Sequence, residues 1–365
     1  MRRPRSRRLL AAITPILALA VAATSAQAAA GTVHIRGTAY EFNSVHTLLS
    51  GATVKVAEYP ALSATVASDG TYDLTVPDKA KVTPYIVAAG HHTIYLQTFT
   101  TDGVDLKHVN LQTPSDGVAA ALTSLLGVPH DAAGYPTKCV IVSTFSTKNV
   151  RDLDYDDFIA YGAHGVGGAT ASTSPSLPAP TYFNENVIPD PLQKLSSKDG
   201  GVIWTNVPTG TYTVSASSPS TRFASFQATC KPGRIVNANP PWGLHELAPT
   251  VAAKVTAKWG KKQGAPVLKS LKATAPIFST IKVSCTGPKC FKTRTLSGVD
   301  DKTVDLRRLF GGSVPRVGAG QTLQVAVSDQ RVNTKVVRWK IGKKGTPKAT
   351  ELCIPLGDLK VQTTC

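Results

Sequence analysis

The sequence predicts an all-β protein: tandem antiparallel β-sandwiches followed by a third, small, disulfide-bonded β domain. Three observations predict it. Apolar and polar residues alternate with period two in many short runs, the spacing of strands with one buried face. Turn signals such as Ser68-Asp69-Gly70 punctuate those runs at short intervals, as in sandwiches. The charge also steps abruptly: residues 29–250 carry a net −4, residues 251–365 a net +16, which marks a boundary near 250. With 365 residues and 42% hydrophobic content the chain is too apolar to be mainly disordered, and 29 glycines are too few for collagen.

Residues 1–28 read as a signal peptide. Arg2, Arg3, Arg5, Arg7 and Arg8 form a basic start, and the apolar stretch 9–23 is short for a membrane span. Ala26-Gln27-Ala28 supplies a small-x-small cleavage site. No later segment is apolar enough to span a bilayer. The expectation is a secreted, extracellular protein without a transmembrane anchor, held at the cell wall if at all by its charge.

The first sandwich is expected over 29–114. Val33 and Ile35 share one face of 32–36, Thr53-Val54-Lys55-Val56 alternates, and a strand through Tyr72 follows the Asp69-Gly70 turn. Residues 115–138 read as a linker with a short helix. Ser115 is placed to cap it, Val118, Leu122, Leu125 and Leu126 to share a face, and Pro129 to stop it. The second sandwich is expected over 139–249 as a divergent repeat of the first. Gly51-Ala52-Thr53-Val54 returns as Gly168-Ala169-Thr170-Ala171. The Asp69-Gly70 turn returns at Asp199-Gly200, and the strand through Tyr72 as the one through Tyr212. Residues 250–365 form the basic domain. There Val255, Ala257 and Trp259 oppose Lys254, Thr256 and Lys258, and Val337, Trp339 and Ile341 oppose Arg338 and Lys340.

Six cysteines in an exported chain imply disulfides. Six allow fifteen pairings; bracketing by domain narrows them, since Cys285, Cys290, Cys353 and Cys365 all lie in the basic third, and the expected set is Cys139–Cys230, Cys285–Cys290 and Cys353–Cys365. A zinc cluster is the rival, but eleven residues separate Cys353 from Cys365, too many for a ligand pair.

The first two segments carry a resemblance. In the second, Asp199-Gly200-Gly201 leads into a strand, then Val207-Pro208-Thr209-Gly210, then Tyr212-Thr213-Val214-Ser215-Ala216. The first holds Gly51-Ala52-Thr53-Val54, Ser68-Asp69-Gly70 and Tyr72-Asp73-Leu74-Thr75-Val76-Pro77. Both resemble the carboxypeptidase regulatory-like, prealbumin-type β-sandwich. That resemblance implies non-catalytic modules that bind, space or stabilise. In the third segment, Ser284-Cys285-Thr286-Gly287-Pro288-Lys289-Cys290 and Leu352-Cys353-Ile354-Pro355-Leu356-Gly357 resemble a small Cys-containing domain at the ends of bacterial secreted proteins.

Nothing in the chain matches a G-x-S-x-G elbow, an H-E-x-x-H zinc helix or a P-loop. Asp152, Asp154 and Asp156 alternate and are the candidate calcium ligands. An EF-hand-like loop would want Gly where Asp157 stands and Glu where Ala163 stands, so a solvated acidic loop is the plainer reading. Tyr182 and Trp242 are candidates for stacking on sugar rings, with core packing and loop anchoring the plainer reading. Glu185, Asp190, Asp199 and Glu246 are the carboxylates from which a glycosidase pair would be drawn. Lys335, Arg338 and Lys340 are the candidate polyanion contacts, with Lys335 offset from the face shared by the other two.

The expected function is therefore that of a secreted, non-catalytic binding or structural protein of the bacterial envelope. It would be a monomer that engages anionic or glycan polymer of the wall or surface. No cofactor is expected beyond calcium at the Asp cluster, and export argues against nucleic acid as partner. The alternative is a carbohydrate-active hydrolase with its site in the second sandwich.

Overall fold

Strand Thr32–Glu41 buries Val33, Ile35 and Ala39, and its two ends take different partners. It pairs antiparallel with Thr71–Pro77, parallel with Leu111–Thr113, and at its end with Ser44–Leu48. Thr53–Val56 pairs antiparallel with Pro84–Val87, which pairs with Ile94–Tyr95. The two layers close over Ile35, Val54, Val56, Tyr72, Leu74 and Ile86. The computed structural model describes residues 31–300 and 302–365; the signal peptide expected at 1–28 lies outside them.

The same pairings recur in the second segment. Cys139–Thr144 pairs antiparallel with Gly201–Val207 and parallel with Ile235–Ala238. Thr170–Ser174 pairs with Gly210–Ser217, which pairs with Phe226–Cys230. In this scheme Thr53–Val56 and Thr170–Ser174 occupy equivalent places. Tyr72 and Tyr212 do not. The strand after the Asp69-Gly70 turn answers to Gly201–Val207, the strand after the Asp199-Gly200 turn, whereas the Tyr212 strand answers to Pro84–Val87. The Tyr-x-Leu/Val-x pattern misleads because any half-buried strand can carry it.

The fold is all-β, with 44% strand and 7% helix. Its sandwiches are antiparallel apart from three parallel pairs, and one of these fuses them. Ile235–Ala238 pairs parallel with Ile94–Tyr95, so a single nine-stranded sheet runs from Pro189–Asp190 through both segments to Ser63–Thr65. Its middle strands are covered on both sides. Val202 and Trp204 enter one core while Ile203, Val140 and Phe183 form another under a helix, which is why Gly201–Val207 reads as a nearly continuous apolar run.

That helix, α1 (Asp116–Leu125), lies on the sheet through Ala119, Leu122 and the following Leu126. Leu125 is 61% exposed, so the apolar stripe is narrower than the sequence suggests. Ser115 precedes the helix but its hydroxyl caps nothing. A second helix, α2 (Tyr155–Tyr161), starts inside the acidic stretch.

The cysteines are joined as Cys139–Cys230, Cys285–Cys290 and Cys353–Cys365, with Cα separations of 5.4, 5.4 and 6.2 Å. The first ties the nine-stranded sheet to the facing three-stranded sheet of the second sandwich.

Gly200 holds its turn for two reasons. Its φ is +81°, and an added Cβ would lie 2.7 Å from the Phe145 carbonyl oxygen. Gly51 has a similar φ of +78° but open space around it. Gly51→Ala is therefore expected to cost about 1 kcal/mol, and Gly200→Ala at least about 2 kcal/mol because backbone must also move. Denaturant unfolding of the two variants side by side measures the difference, and equal losses would show that the contact at Gly200 is immaterial.

Candidate functional site

The C-terminal region is a sandwich of a three-stranded and a five-stranded sheet. The first is Lys254–Lys262, Ala265–Thr274 and Thr303–Asp305; the second orders Arg294–Leu296, Thr280–Thr286, Thr322–Ser328, Thr334–Lys340 and Ala349–Ile354. Leu271, Ile281, Val283, Val325 and Trp339 fill the space between them. Alternation then sends the intervening polar residues outward.

On the three-stranded sheet those residues are lysines. The register sets Thr256 opposite Lys272 and Lys258 opposite Ser270, so Lys254, Lys258 and Lys272 share the outer face. The register shifts between Lys258 and Trp259, leaving an extra residue in the facing strand. This bulge lets Leu268 and Leu271, three apart, both be buried, while Lys269 and Ser270 both turn outward. The Lys269 side chain lies across Gly260, where a Cβ would meet its Cε at 2.8 Å. Lys254, Lys258, Lys269 and Lys272 make no ion pair among the described residues. At this edge the Asp305 carboxylate, opposite Lys272, is already held by Arg307 at 2.6 and 2.9 Å, and that guanidinium keeps it below the usual carboxylate range.

The sequence-derived cluster of Lys335, Arg338 and Lys340 is not one surface. Strand periodicity puts Arg338 and Lys340 on the outer face and Lys335 on the other, where its Nζ lies 2.9 Å from Glu351. Arg338 donates twice to Gln324 Oε1, at 3.1 and 2.8 Å. The stronger cationic face is thus the lysine face. Most of it, Lys254, Lys258 and Lys272, follows from alternation; Lys269 joins it only through the bulge.

Two other sets of expected residues are corrected. Tyr182 is 4% exposed, and its hydroxyl accepts the Ala171 N–H at 2.9 Å, so it is core rather than a sugar platform. Trp242 donates its indole N–H to the Lys107 carbonyl, meets Phe99 edge-on, and has the Arg151 guanidinium 3.8 Å from its ring centroid. Tyr182 is closed to stacking, and Trp242 is half-buried with its ring engaged by Phe99 and Arg151. Asp152, Asp154 and Asp156 do not converge as calcium ligands. Asp154 is the N-cap of α2 and Asp156 lies in its first turn, a place set by the helix start rather than by a loop. No group of three or more His, Cys, Asp or Glu among the described residues is arranged to hold a metal.

A cleft of about 460 Å³ lies where the second sandwich meets strand ends of the first. Asn43, Phe158, His164, Phe183, Glu185 and Asp199 are among its lining. The His164 ring lies against Phe158, and its Nδ1 is 2.8 Å from the Gly162 carbonyl, which places the proton on Nδ1 and leaves Nε2 as an acceptor. Burial holds its pKa below the ordinary histidine value. Burial also raises the Asp199 carboxyl, against the Gly201 N–H that donates to it at 2.9 Å. Of the four carboxylates offered for a glycosidase pair, only Glu185 and Asp199 share this cleft. Asp190 accepts the Leu192 N–H in a turn, and Glu246 is bound to Lys148 at 2.8 Å.

No protein-family model and no curated protein matches the chain. Among solved structures it is similar to the streptococcal ancillary pilin, at 9% identity and a TM-score of 0.19 over 92% of this chain and 98% of that one. It is also similar to the Bacillus anthracis TIE protein, at 12% identity and 0.18 over 86% of this chain, which spans about half (49%) of that one. A third is a type II cohesin–X-dockerin complex of Acetivibrio cellulolyticus, at 16% identity and 0.21 over 27% of this chain and 78% of that one. Likenesses at these scores carry no argument, and the functional reading rests on this chain's own geometry.

Proposed function

We propose that this is an exported, non-catalytic binding protein whose C-terminal sandwich holds anionic polymer of the cell wall or surface, with two related sandwiches as the body it carries. The lysine face carries the reading. Four cations on one sheet face, none in an ion pair among the described residues, repel one another and raise the local potential, and a polyanion relieves both. The three disulfides fit an oxidising compartment. The plain rival is that the charge serves solubility. Retention of the full-length protein on anionic wall polymer, run from low to high salt, separates the two. Polymer binding predicts retention that falls steeply as the Debye length shrinks to about 8 Å at physiological ionic strength; passage through the column at low salt favours the rival.

A second reading has one specific observation behind it, the cleft that joins His164, Asp199 and Glu185. A desolvated carboxyl and a second carboxylate lining one cleft are the groups a glycoside hydrolase draws on. The test is release of reducing ends from wall polysaccharide. The hydrolase reading expects release by the wild-type protein and loss in Asp199→Asn; no release by the wild type overturns it.

A further inference from the structure

Arg151 follows a short 3₁₀ turn, Lys148–Val150, in the second sandwich. It is 5% exposed, and its side chain makes no hydrogen bond or ion pair among the described residues. Nη1 is fully buried without an acceptor. Its guanidinium carbon lies over the Trp242 ring, 3.8 Å from the centroid. A buried guanidinium without an anion is an expensive arrangement in a folded protein.

The groups around it are engaged elsewhere or held at a distance. Asp152 and Asp358 act on Arg151 only through space, and Asp358 accepts from the Leu359 and Lys360 N–H groups and from Gln362. Glu246 is taken by Lys148, and the amide of Asn333 is spent on Ala248 and Leu356. His245, packed beside Arg151, is neutral, since burial pushes its pKa down to about 3.

Arg151 lines a pocket of about 280 Å³ between the second sandwich and the C-terminal loop. Arg222 lines the same pocket from an exposed position, and its side chain is also without a partner. The remaining walls are mixed: Leu247, Ala248, Pro355 and Leu356 supply an apolar part, and His245, Glu246, Asn333, Gln362, Thr364 and Cys365 the rest. Two arginines in a pocket with one apolar part suit an anion that carries a small hydrocarbon body. Arginine's planar fork matches a carboxylate, and the space admits on the order of ten non-hydrogen atoms.

We propose that this pocket binds a small organic carboxylate through Arg151 and Arg222. The inference is independent of polymer binding by the lysine face, which lies on another sheet.

The test is thermal unfolding of the full-length protein in acetate, succinate, benzoate, phosphate or chloride, at equal ionic strength and pH. The expected result is a saturable rise of a few degrees in the midpoint with the carboxylates over chloride. Arg151→Met keeps the stem, removes the charge and is expected to abolish that rise. Arg222→Gln, a surface change that leaves folding intact, is expected to weaken the apparent affinity about tenfold, and it carries the test if Arg151→Met does not fold. Midpoints indifferent to the anion overturn the proposal. A larger effect of phosphate than of any carboxylate overturns the ligand class. A carboxylate response that survives Arg222→Gln unchanged overturns the site.

Discussion

Replacing Lys254, Lys258, Lys269 and Lys272 together by Gln is expected to weaken binding to anionic polymer about a thousandfold at low salt. A basic residue near an anionic surface contributes about 1 kcal/mol, and four such contributions correspond to roughly three decades in affinity. Replacement by Glu turns attraction into repulsion and is expected to abolish retention. The side chains stand on one sheet face without ion pairs, so the fold loses little with them. The control is the opposite face. Changing Arg338 and Lys340, with Lys282 that the register sets on their face, is expected to matter less, because Arg338 is occupied by Gln324. Single Lys→Ala changes should each cost only a fraction of the effect, since screened contacts sum. Retention on immobilised polymer across a salt gradient reads all of these. A quadruple Glu variant that binds like the wild type would remove the lysine face from the proposed function.

The legible parts of this fold are those in which one residue and its neighbour two along settle the outcome. Val255, Ala257 and Trp259 against Lys254, Thr256 and Lys258 is such a case, and so is the offset of Lys335 from Arg338. The Asp199-Gly200 turn is legible because a side-chain acceptor and a residue tolerant of positive φ stand together. What alternation cannot reveal is a residue whose environment is decided by a remote strand. Tyr182 beside Asn184 and Glu185 is open to both a core and a stacking reading, and pairing with Gly201–Val207 decides for the core. Lys269 joins the cationic face only because an extra residue shifts the register. The fusion of two sandwiches through Ile94–Tyr95 and Ile235–Ala238 leaves no mark in either strand's own composition. The cleft was half-legible: Glu185 and Asp199 stand out as acids, but their company with His164 comes from tertiary packing.

Removing the Cys139–Cys230 bridge is expected to be the largest single loss of stability available in the chain. The bond spans 91 residues and joins facing sheets of the second sandwich. In the chain-entropy account, opening a loop of that length gives the unfolded chain a freedom worth roughly 4–5 kcal/mol. The two short bridges, spanning 5 and 12 residues, come to about 2 and 3 kcal/mol on the same account. Both sulfurs of the long bridge sit in residues 1% exposed, so alanine is the fitting replacement; serine would bury hydroxyls beside an apolar core. Cys139→Ala with Cys230→Ala is expected to lower the unfolding midpoint by on the order of 10 °C, and the corresponding double change at Cys285 and Cys290 by about half that or less. The loss should appear first in a signal from the second sandwich, such as the emission of Trp204, which is packed in that core. A long-bridge variant no less stable than the short-bridge one would mean that the unfolded chain is already held compact by other contacts. Non-reducing peptide mapping fixes the premise, since a fragment linking Cys139 to Cys285, Cys290, Cys353 or Cys365 would refute the pairing itself.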